Sequence, residues 1–201
     1  MREIDYTHYF WQNDSIRLRA VHPEDWEAHY INRFDTTARR LLENAVKLPP
    51  TITEAKSFTE TYGDFASSNL TFTIENLNAE NVGGIHLNRI DERNGTFHIR
   101  LHIDRDHRDQ GYGTNALNIL LKYAFFERRL NKFNTAVLEG NEAAAAMLRK
   151  SGCVEEGIRR QDIYTNGQYM SSILFGLTKK EYVQHLTNSR VANLSEEEQH
   201  L

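Results

Sequence analysis

The sequence has one cysteine, no excess of basic residues and no long apolar run, and each of these shortages excludes a class of protein. The single cysteine, Cys153, excludes an intrachain disulfide framework. No run of about 18 apolar residues is present, so no membrane-spanning helix is expected. The 24 lysines and arginines are outnumbered by 28 acidic residues, so the basic excess of a general nucleic-acid binder is missing. The nine histidines form no H-x-x-x-H pair on a predicted helix and no Cys/His cluster, and we expect no metal site.

The composition that is present suits one folded domain. Hydrophobic residues make up 39% of the 201 residues and aromatic residues 10%, which is enough for a sizeable core. The first 13 residues are polar and aromatic and do not resemble a signal peptide, so the cytoplasm is the expected location. We predict an N-terminal extension over residues 1–14, a domain over 15–187 and a loose polar tail over 188–201.

Strand and helix patterns predict a mixed α/β domain around one sheet. Thr96 to Leu138 reads as strand, helix, strand, which predicts a parallel pair joined by a right-handed crossover. The predicted strands are Ser15–Val21, Leu70–Glu75, Val82–Ile90, Thr96–Ile103, Phe133–Leu138, Val154–Ile163 and Tyr169–Thr178. The predicted helices are Pro23–Arg33, Thr36–Lys47, Thr53–Gly63, one following Thr114, Asn141–Lys150 and Glu181–Thr187.

The most informative segment is the loop from Arg108 to Thr114, which reads R-D-Q-G-Y-G-T. It lies between a predicted strand and the start of a strongly amphipathic helix. Two glycines allow a tight turn with uncovered N–H groups, and the helix N-terminus adds a partial positive charge. Arg108 can add a full charge. The loop therefore predicts an anion site suited to phosphates.

Two familiar phosphate loops fit this segment poorly. A Walker loop requires a lysine after its glycines, and none follows here. Gly111, Gly113 and Ala116 match the dinucleotide pattern G-x-G-x-x-A, but they follow an antiparallel meander in mid-chain. A nucleotide-binding module therefore stays as a minor alternative.

Arg108, Gly111 and Gly113 resemble the Q/R-x-x-G-x-G/A signature of the GCN5-related N-acetyltransferases (GNAT family). Asn141 to Gly152 resembles the second motif of that family, and the likeness runs from Ser15 to Tyr182. It extends to the branch that acetylates ribosomal-protein N-termini and spermidine. The resemblance implies a mostly antiparallel, twisted sheet of about seven strands with a parallel splayed pair, flanked by helices. It identifies residues 15–187 as an N-acetyltransferase domain.

The resemblance also implies acetyl-coenzyme A (acetyl-CoA) as co-substrate, an amine as the second substrate and a homodimer formed through the last strands. The implied cofactor-binding residues are Leu101, His102, Ile103, Arg108, Asp109, Gln110, Gly111, Tyr112, Gly113, Thr114, Asn141, Ala144, Met147 and Arg149.

The catalytic groups depart from the family pattern. Leu148 occupies the position of the tyrosine that many members use as general acid. Cys153 stands where a phenylalanine is usual, and Ser171 or Ser172 where an aspartate is common. His98 matches the position of a family glutamate and is the first candidate for the general base, since histidine titrates near neutral pH. The second candidate is His102; His86 and Glu75 are weaker ones.

The acceptor amine is left open by the sequence. A peptide N-terminus, a polyamine and another small amine all fit. Acidic residues in the first helices are compatible with a cationic acceptor, and equally with an ordinary surface. They are Asp35, Glu43, Glu54, Glu60 and Asp64. Because the usual tyrosine is missing, a non-catalytic acyl-CoA sensor is the main alternative to an enzyme.

Overall fold

The computed structural model describes residues 4–62 and 69–199. Seven strands form one sheet: β1 (Ile16–Ala20), β2 (Leu70–Asn76), β3 (Asn81–Asp91), β4 (Thr96–Ile103), β5 (Lys132–Leu138), β6 (Val154–Thr165) and β7 (Gln168–Thr178). Six helices surround it: α1 (Trp26–Asn32), α2 (Thr36–Glu43), α3 (Ile52–Tyr62), α4 (Tyr112–Lys122), α5 (Glu142–Lys150) and α6 (Lys179–Gln199). Within the described residues, none of these helices has both the length and the apolar content needed to cross a membrane.

The sheet has the order β1-β2-β3-β4-β5-β7-β6. In the described sheet, β4 and β5 are the one parallel pair, and α4 is the crossover between them. This arrangement confirms the predicted mixed α/β fold with a mostly antiparallel sheet. The parallel pairing covers only Thr96 with Lys132 and Phe97 with Phe133, so the two strands separate beyond Phe97.

The two faces of β4 have different neighbours because successive side chains of a strand point to opposite sides. Phe97 packs against Phe125, just beyond α4, with ring centroids 5.4 Å apart. The other face of β4 carries His98, Arg100 and His102. Arg100 reaches the carbonyl of Leu42 in α2, so this second face lies under the first three helices. The sheet therefore separates an apolar core on the α4 side from a polar cleft on the α1–α3 side.

The N-terminal segment packs along the outer edge of the sheet. Gln12 forms an isolated bridge with Arg17 of β1, and the Leu18 N–H donates to the carbonyl of Trp11. The Trp11 ring lies against Phe72 and Tyr123, at centroid distances of 4.8 and 4.7 Å. These contacts cover an edge strand whose unpaired backbone groups would otherwise be exposed.

The C-terminal residues differ from the prediction. The predicted short helix and loose tail are replaced by one helix, α6, which continues to Gln199. In residues 188–199 the apolar residues do not recur at helical spacing, so the sequence pattern did not predict a helix there. Polar residues such as glutamate and glutamine nevertheless favour helix by intrinsic propensity. The predicted end of the third helix at Gly63 lies outside the described residues, as does Asp64.

Candidate active site

The separation of β4 from β5 opens the sheet beside Leu101, His102 and Ile103. The Asp104 N–H donates to the carbonyl of Val82 on β3, at 3.0 Å. Because N–H groups alternate sides along a strand, those of Leu101 and Ile103 point away from β3, into the opening. Two backbone donors thus line the opening, as expected for a site that stabilises a developing oxyanion.

The loop that precedes α4 forms an anion site at the mouth of this opening. Gly111 has a left-handed φ of +79° at the N-cap, and within the described residues no side chain caps the helix. Asn115 is the first residue of α4 whose N–H donates a helical hydrogen bond, which the carbonyl of Gly111 accepts. The N–H groups of Tyr112, Gly113 and Thr114 therefore lack helical partners. Together with the helix dipole, they suit the diphosphate of a coenzyme A molecule.

An apolar floor connects this anion site with the end of β4. A Cβ placed on Gly113 would lie 3.2 Å from the sulfur of Met147, 3.5 Å from Leu101 and 3.6 Å from Ile103. Only glycine leaves this space free. Leu101, Ile103, Ala144 and Met147 are all partly exposed where they pack on the core. The floor fits the pantetheine arm of coenzyme A, so these residues suit the implied co-substrate.

Arg108 has a different role from the free charge expected for it. Its Nε donates to the carbonyl of Ile103 at 3.1 Å, and its terminal nitrogen donates to Asp35 at 2.8 Å. Asp35 also accepts from Arg105 and from the Ala38 N–H at the start of α2. Although burial opposes ionisation, these hydrogen bonds lower the pKa of Asp35 to about 2. Arg108 therefore fastens the start of α2 to the end of β4.

The remaining expected cofactor residues divide into two groups. Asn141 caps α5 by accepting from the Ala144 N–H, and Asp109 and Gln110 lie exposed in the loop. Arg149 does not face the opening. Its guanidinium pairs with Glu155 and lies over the ring of Phe175, at 5.7 Å from the ring centroid. Ten of the fourteen expected residues form the continuous segments Leu101–Ile103 and Arg108–Thr114. The fold places both segments at the mouth of the opening beside β4.

A polar cleft lies on the opposite face of the sheet, under α1 and α3. It is lined by side chains of both helices and by β2, β3 and β4. Three histidines lie along it: His29 on α1, His86 on β3 and His102 on β4. The His29 ring stacks on Phe58 at a centroid distance of 3.9 Å, and Nδ1 of His86 lies 3.0 Å from the hydroxyl of Thr71. His102 and Asp104 line the cleft at the C-terminal end of β4.

Two glycines of β3 make room for this end of β4. A Cβ on Gly84 would lie 2.7 Å from the His102 ring, so the ring occupies the space that a side chain would need. A Cβ on Gly83, which has a φ of +154°, would lie 2.3 Å from the His102 carbonyl oxygen. The sheet is also irregular here, because Val82 lies between the paired residues Asn81 and Gly83. Val82 is therefore the extra residue of a bulge that directly precedes Gly83.

All three cleft histidines favour the neutral state. Burial and the nearby Arg39 and Arg33 lower the pKa of His29 to about 4. Burial and then Arg100 lower the pKa of His86 to about 4. Burial, then His86 and Arg39, lower the pKa of His102 to about 3. Among the described residues no group of three or more histidine, cysteine or acidic side chains is arranged to hold a metal ion.

Asp104 is the acidic group nearest to His102. One of its carboxylate oxygens lies 4.0 Å from Nε2 of His102, beyond hydrogen-bond distance, and accepts from the side-chain amide of Asn32. Burial raises the pKa of Asp104. Neither Asn32 nor His29 was predicted from the sequence as a site residue. The first could not be found locally because 72 positions separate it from Asp104.

Two of the other base candidates, His98 and Glu75, lie outside the cleft. His98 pairs with Asn88, whereas His102 pairs with Gly84, four residues farther along β4. At about 3.3 Å per residue, His98 is roughly 13 Å from His102 along the strand. Burial and Arg89 lower the pKa of His98. Glu75 is buried in ion pairs with Arg17 and Arg19. The geometry therefore favours His102 over both.

Three of the acidic residues named in the first helices are engaged by arginines. Asp35 is bound by two arginines, Glu43 pairs with Arg39, and Glu54 pairs with Arg33. Asp25, which lines the cleft, pairs with Arg19 and accepts from Thr73 and Asn81. The charges of Asp35, Glu43 and Glu54 are thus offset by arginines, whereas Glu60 is exposed at the end of α3.

Comparison with known proteins agrees with this geometry. The family described as acetyltransferase (GNAT) domain matches residues 15–154. The SPbeta prophage-derived uncharacterized N-acetyltransferase YokL of Bacillus subtilis is 27% identical over 175 residues, which are 86% of this chain and 95% of that protein. Spermidine N(1)-acetyltransferase of Escherichia coli K12 is 24% identical over 174 residues, covering 86% of this chain and 91% of that protein.

Solved structures share the fold. A crystal structure of spermidine N-acetyltransferase from Vibrio cholerae, in complex with CoA and spermine, matches with a TM-score of 0.75. The match covers 85% of this chain and 99% of that chain at 19% sequence identity, so it concerns the fold alone.

Proposed function

The chain belongs to the acetyltransferase (GNAT) domain family, and from this premise we propose that it acetylates a primary amine by direct attack within a ternary complex. Its family and named relatives show that the protein is an N-acetyltransferase with acetyl-CoA as co-substrate. One observation carries the proposal. His102 lines the cleft under α1 and α3 and stands between Leu101 and Ile103, which flank the opening beside β4, so two substrates can approach one point from opposite faces of the sheet.

The co-substrate side is assigned to the α4 loop and the apolar floor. The uncovered N–H groups of Tyr112, Gly113 and Thr114 would hold the diphosphate, and Leu101, Ile103 and Met147 would contact the pantetheine arm. Bound acetyl-CoA supplies an acetyl thioester as the electrophile. The N–H groups of Leu101 and Ile103 are the donors available to its carbonyl oxygen.

The amine side is assigned to the cleft. An amine must be neutral to act as a nucleophile, and its ordinary pKa of about 10 keeps it protonated at neutral pH. The burial and positive charge that lower the pKa of His102 act in the same direction on an ammonium bound beside it. The cleft therefore favours the reactive form of the amine. The neutral His102 ring is placed to accept a hydrogen bond from it.

Leu148 contributes no proton to the reaction. Its side chain is 4% exposed, lies in the core and carries no ionisable group. The missing tyrosine is the feature that keeps the non-catalytic acyl-CoA sensor open as an alternative.

We also propose a homodimer formed through β6. This strand ends the sheet, and most of its residues are exposed. Ile158, Tyr164 and Tyr169 on the β6–β7 hairpin are 63%, 63% and 65% exposed. Light scattering during size-exclusion chromatography should give twice the chain mass, and Ile158→Lys should shift the protein towards the monomer. A wild-type protein that elutes as a monomer would remove this proposal.

The function is tested by following CoA release from acetyl-CoA with a panel of amines. The panel contains spermidine, an N-terminal peptide, 6-aminohexanoate, hexylamine and 1,6-diaminohexane. Amine-dependent CoA release, with one acetylated product identified by mass spectrometry, is the expected result. Binding of acetyl-CoA without turnover on any amine would support the sensor instead.

A further inference from the structure

Arg100, on the cleft side of the sheet, has no carboxylate partner among the described residues. Arg100 is exposed, and its guanidinium donates to the carbonyl of Leu42 in α2. Across the described residues, no acidic group lies within ion-pair distance of it, whereas Arg33, Arg39, Arg105 and Arg108 each have one. An unpaired arginine is a ready partner for a carboxylate or a phosphate.

Arg100 lies beside the cleft histidines. It is the residue of β4 directly opposite His86 of β3, and side chains of such cross-strand neighbours lie side by side. It also precedes His102 by two positions, so the two side chains point to the same face of the sheet. The distance along the strand between them is about 7 Å at 3.3 Å per residue. Arg100 thus lies within one small-molecule length of the proposed amine position.

The charges around the cleft disfavour a polycation. Asp25, Asp35, Glu43 and Glu54 are all engaged by arginines. Asp104, the remaining acid of the cleft, lies at the amine end next to His102. A diamine would place its second ammonium beside Arg100, where like charges repel.

We infer that the acceptor is a small molecule that carries an anionic group, a carboxylate or a phosphate, several bonds away from its amine, and that Arg100 binds that group. This inference rests on the proposed acetyl transfer, with the amine at His102. On this inference the acceptor of this chain differs in charge from spermidine, for which some of its relatives are named. Arg100 is a specificity-determining residue in this account and takes no part in the chemistry.

Binding and turnover of matched amines test the inference. The carboxylate arm compares 6-aminohexanoate with hexylamine and 1,6-diaminohexane, which differ only at the far end. The phosphate arm compares glucosamine 6-phosphate with glucosamine. Calorimetric binding to the protein saturated with CoA is measured first, and kcat/KM with acetyl-CoA second. The variants are Arg100→Gln, Arg100→Glu and, as a control, Arg93→Gln in the exposed β3–β4 turn.

In at least one arm, the anionic amine should bind about 10-fold or more tighter than its partners, as expected for a charge-assisted hydrogen bond. Arg100→Gln should reduce this preference to about 3-fold or less, and Arg100→Glu should reverse it towards 1,6-diaminohexane. Arg93→Gln should retain the wild-type preference.

Three results would overturn the inference. The wild-type protein could bind all amines of each arm with equal affinity, bind no amine in either arm, or bind 1,6-diaminohexane more tightly than 6-aminohexanoate. Acetylation of neutral amines or diamines in that case would leave the proposed function intact. Conversely, the binding preference can be measured without turnover, so failure of the acetyl-transfer assay would count against the function alone.

Discussion

His102 owes its position to the glycines of the neighbouring strand. Its ring fills the space above Gly84, and its backbone approaches Gly83 closely. The alternation of β4 predicts that His98, Arg100 and His102 share one face, and the structure agrees. Alternation cannot say which of them meets the cleft, because that depends on how far α1 and α3 extend over the strand. The sequence therefore predicted a polar strand face, but not which histidine of that face lies at the site.

Replacing each histidine in turn separates the two candidates. His102→Gln should lower kcat about 10- to 100-fold, because it removes the imidazole that accepts a hydrogen bond from the reacting amine. The dissociation constant of acetyl-CoA should change by less than about 3-fold, since the side chain faces the acceptor cleft. His98→Gln, on the same strand face, is the matched control and should stay near the wild-type rate. A large loss in His98→Gln with normal activity in His102→Gln would restore His98 as the base.

At the scale of elements, the α4 loop was predictable because all its signals are local. Two glycines and an amphipathic helix within a few residues predicted the anion site, and the helix begins at Tyr112. The contact between Arg108 and Asp35 spans 73 positions and could not be predicted in this way. Asp35 could have been recognised as an N-cap from the polar residue before a helix, but not as the partner of Arg108. Local signals thus placed the loop, and tertiary contacts decided what its arginine does.

The link between α2 and the loop can be measured with two substitutions of one residue. Asp35→Asn keeps a capping side chain but removes the charge, whereas Asp35→Ala removes both. The loss of the cap alone should make Asp35→Ala less stable than Asp35→Asn by about 1 kcal/mol. Urea denaturation of both variants against the wild type gives the two differences. Equal stabilities for the two variants would mean that the capping bond to Ala38 contributes nothing.

At the scale of the whole molecule, the buried histidines couple stability to pH. Their pKa values are lowered from 6.5 to about 4 for His29 and His86 and to about 3 for His102. Between pH 6.5 and 4 the unfolded chain therefore binds more protons than the folded chain, so stability falls as the pH falls. Each histidine would lower the free energy of unfolding by at most about 2 kcal/mol when the pH falls from 7 to 5. Their remaining solvent contact reduces the sum, and a total loss of about 2–4 kcal/mol is expected.

Urea unfolding at pH 7 and pH 5 measures this loss. His86→Gln should reduce the difference between the two pH values, while His8→Gln, an exposed histidine outside the cleft, serves as the control. A protein equally stable at both pH values would contradict the neutral state assigned to the cleft histidines.

The fold as a whole was largely predictable, and the acceptor was not. All seven strands and the crossover follow from alternation, turns and helical period, which are properties of short segments. Three of the acids in the first helices, Asp35, Glu43 and Glu54, are paired in the structure with Arg33, Arg39, Arg105 and Arg108. A sequence records which charges are present, whereas only the fold decides which of them stay unpaired.

Acetyl-CoA binding at the α4 loop and the apolar floor is the central claim, and a thermal titration tests it most directly. Wild-type protein, Gly113→Val and the control Asn118→Val, an exposed position of the same helix, are melted with increasing acetyl-CoA, with NAD and ATP in parallel. Acetyl-CoA alone should stabilise the wild type and Asn118→Val, by about 2.7 kcal/mol at 100-fold excess over Kd. Gly113→Val should lose this response, because its side chain fills the space between Met147 and Leu101. Stabilisation by NAD instead, or an acetyl-CoA response that Gly113→Val leaves unchanged, would contradict the account.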